Sequence, residues 1–319
     1  MKVLISGSHG LIGRALVPAL ESAGHNVTRL VRHDASQTPR SAPAPSGPVI
    51  SWDPFTRQVE EGEGDLSGLD GFDAVIHLAG AGIGDRRWNQ AHKGVVRDSR
   101  LGPTKALAEA LARCPRPPSV FVCASAIGYY GPGSAGAHAG EATLTEDSPP
   151  GLGFLARLCL DWEQACSALA QAGTRVVNAR TGIVQATTGG VLARQLPLFR
   201  LGLGARLGSG QQWVSWITLD DEVAAIAFVL TNSELSGPVN LVAPNPVTNS
   251  AYTAALAHSL HRPALLSVPT PVLGLALGRE MASELLLASQ KVAPTKLVQA
   301  GFTFRHPELA GALAFLLAA

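Results

Sequence analysis

The 319-residue chain has little charge, few aromatic residues and few cysteines. Charged residues make up 15% and nearly cancel, 25 Lys and Arg against 24 Asp and Glu, for a net charge of +1. That argues against nucleic acid or an anionic membrane surface as the main partner. No apolar run reaches membrane-spanning length. The four cysteines (Cys114, Cys123, Cys159, Cys166) form no C-x-x-C pair and no metal pattern, so they read as buried thiols in a reducing compartment. The nine histidines are scattered, and no metal site is expected. The first apolar stretch already reads as a strand rather than a leader, so a cytoplasmic protein is expected. With 46% apolar residues the chain can bury a full core, as one large domain or two intimate ones.

Glycine, by contrast, is abundant at 34 residues, and its placement near the start carries information. Lys2 to Ile5 read as a short buried strand. Gly7, Gly10 and Gly13 follow at G-x-x-G-x-x-G spacing. Leu11, Ile12, Ala15, Leu16, Ala19 and Leu20 then recur at helical spacing, and Val27 to Val31 form a second apolar run ending at Arg32. Strand, glycine turn, helix and strand make the first half of a dinucleotide-binding fold. Gly7 permits the tight turn, Gly10 lets backbone N–H groups approach a diphosphate, and Gly13 lets the helix pack on the strand. The helix N-terminus favours the anion. Pro18, inside the helix, removes a backbone hydrogen bond and should kink it. An NAD site usually carries Asp or Glu at the end of the second strand. Here Arg32 and His33 stand there, with Asp34 beyond. An arginine suits the 2′-phosphate of NADP; the alternative is a solvated surface residue.

Farther along, residues 33–48 are rich in Pro, Ala and Ser and read as a loop, with a short strand at Val49 to Trp52. Residues 62–71 read as another loop. Asp73 to Gly80 is a buried parallel strand ending in small residues, so Ala79 and Gly80 let a cofactor pass close. Arg86, Arg87 and Trp88 could clamp an anion or simply cover the surface. Lys93 to Arg113 is expected as a helix whose Arg100 could reach a phosphate or ribose. Ser119 to Ala126 is the next strand. It runs into Ser125-Ala126-Ile127-Gly128-Tyr129-Tyr130-Gly131, which puts a hydroxyl and two of the chain's three tyrosines where a nicotinamide would lie. Pro132 to Pro150 reads as a loop over the site. Leu152 to Ala172 is expected as one helix, Thr174 to Ala179 as a strand, and Gln211 to Leu219 as a strand-like run with Trp213 and Trp216. Asp220 and Asp221 read as an N-cap for a helix at Glu222 to Leu230. Short strands at Pro238 to Val242 and Leu265 to Val268, a helix at Asn249 to Leu260 and a mostly helical end complete the reading. Together these give an α/β, Rossmann-type doubly wound parallel sheet with a smaller C-terminal lobe. The dinucleotide-binding part is expected at 1–184 and the substrate-side lobe at 185–319, with the chain crossing back around 211–235.

The motifs SGSHGLIG at 6–13, HLAG at 77–80, RRWN at 86–89, SAIGYYG at 125–131, RTGIV at 180–184 and GLGARLGSGQQWVSWI at 202–217 carry a resemblance over nearly the whole chain. It resembles the extended short-chain dehydrogenase/reductase superfamily, and within it the NAD(P)-dependent epimerase/dehydratase-like proteins with a C-terminal domain of unknown function. The resemblance implies NADP held by Gly7, Ser8, His9, Gly10, Leu11, Ile12 and Gly13, by Arg32, by Leu78, Ala79 and Gly80, by Arg100, and by the backbone at Val184. It supplies no substrate. The superfamily's Tyr-x-x-x-Lys pair is missing: four residues after the three tyrosines stand Gly133, Ser134 and Leu256. With Glu163 setting the register, the two positions hold Leu155 and Cys159. Substitutes are Tyr130 or Tyr129 as the acid with Ser125 polarising a carbonyl, or Glu163 as a base. Two functions stay open. One is an NADP(H)-dependent oxidoreductase or epimerase acting on a small polar substrate, a nucleotide-linked sugar among the candidates. The other is an NADP(H)-binding sensor without catalysis.

Overall fold

The computed structural model describes residues 1–32, 47–54, 58–59, 67–133 and 142–318. The expected loops at 33–48, 62–71 and 132–150, with His33 and Asp34, lie wholly or partly outside that range. The centre is an eight-stranded sheet. Its first seven strands in chain order are β1 (Lys2–Ser6), β2 (Asn26–Arg32), β3 (Val49–Asp53), β4 (Gln58–Val59), β5 (Ala74–His77), β6 (Val120–Ala126) and β7 (Arg175–Thr181). With Gly237–Leu241 as the eighth, the spatial order is Gly237–Leu241, β7, β6, β5, β1, β2, β3, β4. All neighbours run parallel except β4, which is antiparallel to β3. The chain builds outward from β1 through β2 and β3, then returns to the other side of β1 at β5. The crevice at that reversal is where doubly wound sheets bind ligands.

Alternation of side chains splits the core into two layers. On one face Val3, Ile5, Ile76, Val122 and Val177 meet Leu16, Val17 and Leu20 of α1 (Leu11–Ser22), together with Val223, Ile226 and Val229 of a later helix, Leu219–Thr231. On the other face Leu4, Val75, Phe121 and Cys123 meet Leu107 and Leu111 of α2 (Gln90–Ala112), Trp162 of α3 (Phe154–Gln164) and Leu169 of α4 (Ser167–Gln171). Each such buried side chain contributes about 1.5–3 kcal/mol relative to exposure. Both faces of a parallel sheet must be covered, which is why these strands read as near-continuous apolar runs.

Three local expectations need correction. The single helix at Leu152 to Ala172 is two. Cys166 N–H bonds Glu163 O, a tight three-residue closure, and a new helix then turns Leu169 onto the sheet. The run at Gln211 to Leu219 divides into Trp213–Val214 and Trp216–Thr218. Ser215 between them donates to Gln290 O (2.6 Å) and accepts from Val292 N–H (2.9 Å). The cap of helix Leu219–Thr231 is Thr218, whose hydroxyl accepts from Asp221 N–H (3.1 Å). Asp221 itself is fully buried and accepts the backbone N–H groups of Arg305 and His306.

Beyond β7 the strand Ile183–Gln185 pairs with Trp216–Thr218. Leu192, Leu196, Phe199, Tyr252, Leu256 and Leu313 close a further core around fully buried Trp216. Among the described residues no helix is long and apolar enough to cross a membrane.

Candidate functional site at the ends of the parallel strands

The three glycines of the turn do three different things. Gly7 has φ +75°, and a Cβ there would stand 2.6 Å from the Leu78 carbonyl carbon. A Cβ on Gly13 would run into the Gly7 carbonyl and stand 2.7 Å from Ser8 Cα, so α1 rests directly on the turn. Gly10 differs: its Cβ would meet only the Gly7 carbonyl, at 3.3 Å, with open space beyond. Gly10 is also the N-cap of α1, and no side chain caps that helix, so its first-turn N–H groups face the opening. Ser8 Oγ is buried without a partner among the described residues, and His9 is exposed. Leu11, Ile12, Leu78 and Val184 line the cleft, with Thr181 and Glu222. An uncapped helix start, an open glycine and an unsatisfied hydroxyl fit a dinucleotide diphosphate.

Arg32 stands exposed at the C-terminal end of β2, next to β1 in the sheet. Arg100 is 7% exposed, and its Nη1 donates to Val96 O (3.0 Å). The guanidinium carbon lies 5.0 Å from the Trp162 ring and would be 3.0 Å from a Cβ on Gly80. The bare glycine is what admits it. Its Nε is buried without a partner among the described residues, and burial lowers the Arg100 pKa. Ala79 and Gly80 thus form a strip of bare backbone between the glycine turn and this cation.

Across the sheet, at the end of β6, lies a charged network. Ser125 Oγ donates to Glu163 Oε1 (2.7 Å). Arg180 grips the same carboxylate at both oxygens, from Nε at 2.8 Å and from Nη2 at 2.9 Å. Its Nη1 donates to Tyr130 Oη (3.1 Å), and its guanidinium carbon lies 3.4 Å from the Tyr129 ring centre. Tyr130 Oη donates to Asn240 Oδ1 (2.7 Å) and lies 3.0 Å from Thr145 O. Burial pushes the Tyr130 phenol up to about 12, against the pull of Arg180. Burial alone would lower the Arg180 pKa, but Glu163 outweighs it and the pKa rises. The sequence-derived trio therefore comes together as one cluster. Tyr130 is enclosed in it, Tyr129 is the plate under Arg180, and Ser125 is the member held to Glu163. Leu155 and Cys159, at the positions of the missing Tyr and Lys, are buried, and burial raises the Cys159 thiol to about 12.

The C-terminal segment secures this cluster. Both Glu284 oxygens accept the first N–H groups of α3, from Phe154 (2.9 Å) and Leu155 (2.8 Å), so a carboxylate sits on the positive end of the helix that carries Glu163. Gln290 Nε2 donates to Ile127 O and Gly131 O, and Asn240 Nδ2 to Ala293 O. Lys93 of α2 bonds Glu280 (2.9 Å), and Arg87 donates to Leu275 O. Trp88 Nε1 donates to Ile83 O, and its ring meets Phe154 edge-on. Trp216 is a core residue bonded to Asn245 O, while Trp213 is half-buried with Lys291 Nζ 4.6 Å from its ring. Glu146, whose Oε1 accepts from the backbone N–H groups of Asn240 (3.1 Å) and Lys296 (3.2 Å), escaped sequence reasoning, as did Asn240, Glu284 and Glu222. Each is a lone polar residue whose partner is distant in the chain.

The comparisons agree with this geometry. Residues 3–242 match the NAD dependent epimerase/dehydratase family, and 268–316 match a domain of unknown function, DUF1731. An epimerase family protein of Mycobacterium bovis is 44% identical over 98% of this chain and 96% of its own. The solved human epimerase family protein SDR39U1 (isoform 2) with NADPH superposes with a TM-score of 0.86 at 33% identity, covering 100% of this chain and 99% of that one. A nucleoside-diphosphate sugar epimerase from Corynebacterium glutamicum superposes with a TM-score of 0.76 at 35% identity, covering 99% of this chain and 58% of that one. With its glycine turn, switch-point cleft and match over three quarters of its length, the chain belongs to the NAD dependent epimerase/dehydratase family of short-chain dehydrogenase/reductase type.

Proposed function

We propose that the protein is an NADP(H)-dependent oxidoreductase or epimerase-like enzyme acting on a small polar substrate, with a nucleotide-linked sugar the leading class. The observation that carries this reading is the cleft: an uncapped α1 N-terminus behind the open Gly10, with Arg32 exposed at the end of the neighbouring strand. Arg32 answers the 2′-phosphate, and Arg100 offers a buried, partly unpaired guanidinium beside the bare backbone of Gly80. The NADPH in the human relative supports the same cofactor.

When bound, the nicotinamide supplies or accepts hydride. The chain's own part is proton handling. Ser125 donates to Glu163 and keeps lone pairs for a substrate hydroxyl. That hydroxyl grows acidic as its carbon–hydrogen bond breaks, so Ser125 takes its proton while passing its own to Glu163. Arg180 holds the carboxylate in line, and Tyr129 and Tyr130 hold Arg180. In the reverse direction the proton returns by the same two atoms.

Binding of NADPH and NADH, measured side by side at fixed salt, tests the cofactor assignment. Wild type should favour NADPH, and Arg32→Ala should lose that preference. Equal affinities in wild type would remove Arg32 from the site. A nucleotide-sugar panel read by cofactor oxidation tests the chemistry: Ser125→Ala and Glu163→Gln should lose turnover and keep NADPH binding. The buried apolar pair Leu155 and Cys159, where the superfamily places its proton relay, favours a second reading as a cofactor-binding sensor. Ligand-induced conformational change with bound NADPH left unaltered across the panel would select it.

A further inference from the structure

One carboxyl in the cofactor cleft has no place in the proton relay. Glu222, in the first turn of helix Leu219–Thr231, lines the cavity bounded by Gly7, Gly10, Gly13, Thr181 and Val184. The residue is completely buried. Its Oε1 accepts from Thr181 Oγ1 at 2.8 Å, and its Oε2 has no partner among the described residues. Glycine, aliphatic residues and one threonine make up the rest of the lining, with no cation among them. We propose that Glu222 is a contact of the dinucleotide: its free oxygen carries a proton and donates it to the diphosphate, so that cofactor binding and protonation of Glu222 are coupled. This rests on the reading of the cleft as the NADP(H) site.

The physical case has two sides. An ionised Glu222 would face a diphosphate in a water-poor cavity, two anions with no cation between them, whereas the neutral acid is a hydrogen-bond donor to the same oxygens. Burial already raises Glu222 to about 8, with Thr181 pulling weakly the other way, so the neutral form prevails at pH 7. Among the described residues no other charged group faces it. On α1, Arg14 and Glu21 are exposed. Of the β7 arginines, Arg175 reaches the carbonyls of Val229, Leu230 and Leu235, and Arg180 lies across the sheet with Glu163. On β6, Cys123 faces the opposite layer. In its own helix Asp220 is half-buried, and Asp221 is occupied by the N–H groups of Arg305 and His306. His9, in the glycine turn, is exposed.

The test is the NADPH dissociation constant of the full chain from pH 7 to pH 9.5, by calorimetry in two buffers of different ionisation enthalpy. Wild type should weaken above about pH 8, approaching tenfold per pH unit, with proton uptake on binding that is small at pH 7 and climbs toward one at the alkaline end. Glu222→Gln keeps a donor and should give a flat profile with no uptake. Glu222→Leu should bind more weakly than wild type at pH 7, with a flat profile. A wild-type profile that is flat while NADPH still binds overturns the proposal, as does the same slope in Glu222→Gln. If neither variant folds, the wild-type slope and proton count decide alone. A folded wild type that binds no NADPH at any pH instead overturns the cofactor reading beneath it.

Discussion

Glu163 and Arg180 form a buried ion pair whose side chains are 11% and 3% exposed. Glu163→Gln keeps the shape and one acceptor but sets an amide N–H₂ against guanidinium donors. Beside that one acceptor Arg180 then keeps Tyr130 Oη at 3.1 Å and Glu146 O at 3.3 Å, and no counter-charge in the pair. Breaking a buried pair from one side costs about 3–5 kcal/mol, because an uncompensated charge remains out of water. Against a total stability of about 5–15 kcal/mol that is a large share. At about 2 °C per kcal/mol for a chain of this size, the melting temperature should fall by about 6–10 °C. Arg180→Met should cost a similar amount, since it strands the carboxylate with Ser125 as its one remaining partner in the network. The double variant Glu163→Gln/Arg180→Met removes both charges and should lose less than the sum of the singles, with a coupling of about 2 kcal/mol or more. Urea unfolding of the four proteins, followed by circular dichroism, gives the cycle. A loss under about 1 kcal/mol for Glu163→Gln, or strict additivity, would refute the network as a mechanical unit.

Four further outcomes follow from the same coordinates. Gly13→Ala collides with turn backbone and should unfold or loosen α1, whereas Gly10→Ala meets only the Gly7 carbonyl at 3.3 Å and should fold with a small loss yet bind NADPH at least tenfold more weakly. Thermal melts beside binding curves separate the two, and equal stability losses would contradict the assigned roles. Tyr130→Phe strips a partner from Asn240 and Arg180 and should cost about 1–3 kcal/mol, while NADPH affinity and turnover persist. Lost turnover in a folded variant would return the phenol to the chemistry. Glu284→Ala removes two charge-assisted bonds from the start of α3 and should destabilise by about 1–2 kcal/mol, read by chemical denaturation. Glu222 titrates near 4.5 when unfolded and near 8 when folded. Its stabilising contribution is complete at low pH and declines as pH rises toward 8. Between pH 5 and pH 7 the cofactor-free wild type should therefore lose roughly 2–3 kcal/mol that Glu222→Gln does not. Parallel profiles for the two proteins would contradict the burial of that carboxyl.

Local sequence determined the half of this protein that depends on neighbours in the chain. Gly7, Gly10 and Gly13 could be assigned three separate tasks because a turn, an approach and a helix contact are set within a few residues. The parallel strands were legible because both faces are buried, so β1, β5 and β6 read as unbroken apolar runs. The expectations that failed were local rules overruled from a distance. Asp221 looked like a cap, but Arg305 and His306 claim its carboxylate and leave the cap to Thr218. Ser125 and the tyrosines were found because they cluster in sequence, and Glu163 was weighed as a base, but the bonds that tie them together and to Asn240 and Glu284 were not legible. Glu163 lies 38 residues from Ser125, Asn240 110 from Tyr130 and Glu284 130 from Phe154. A hydrogen bond between such residues leaves no period, no spacing and no run of similar letters. Only the packing of α3, the C-terminal segment and the sheet edge decides it, because burial obliges each isolated polar group to find its partner wherever the fold brings one within reach.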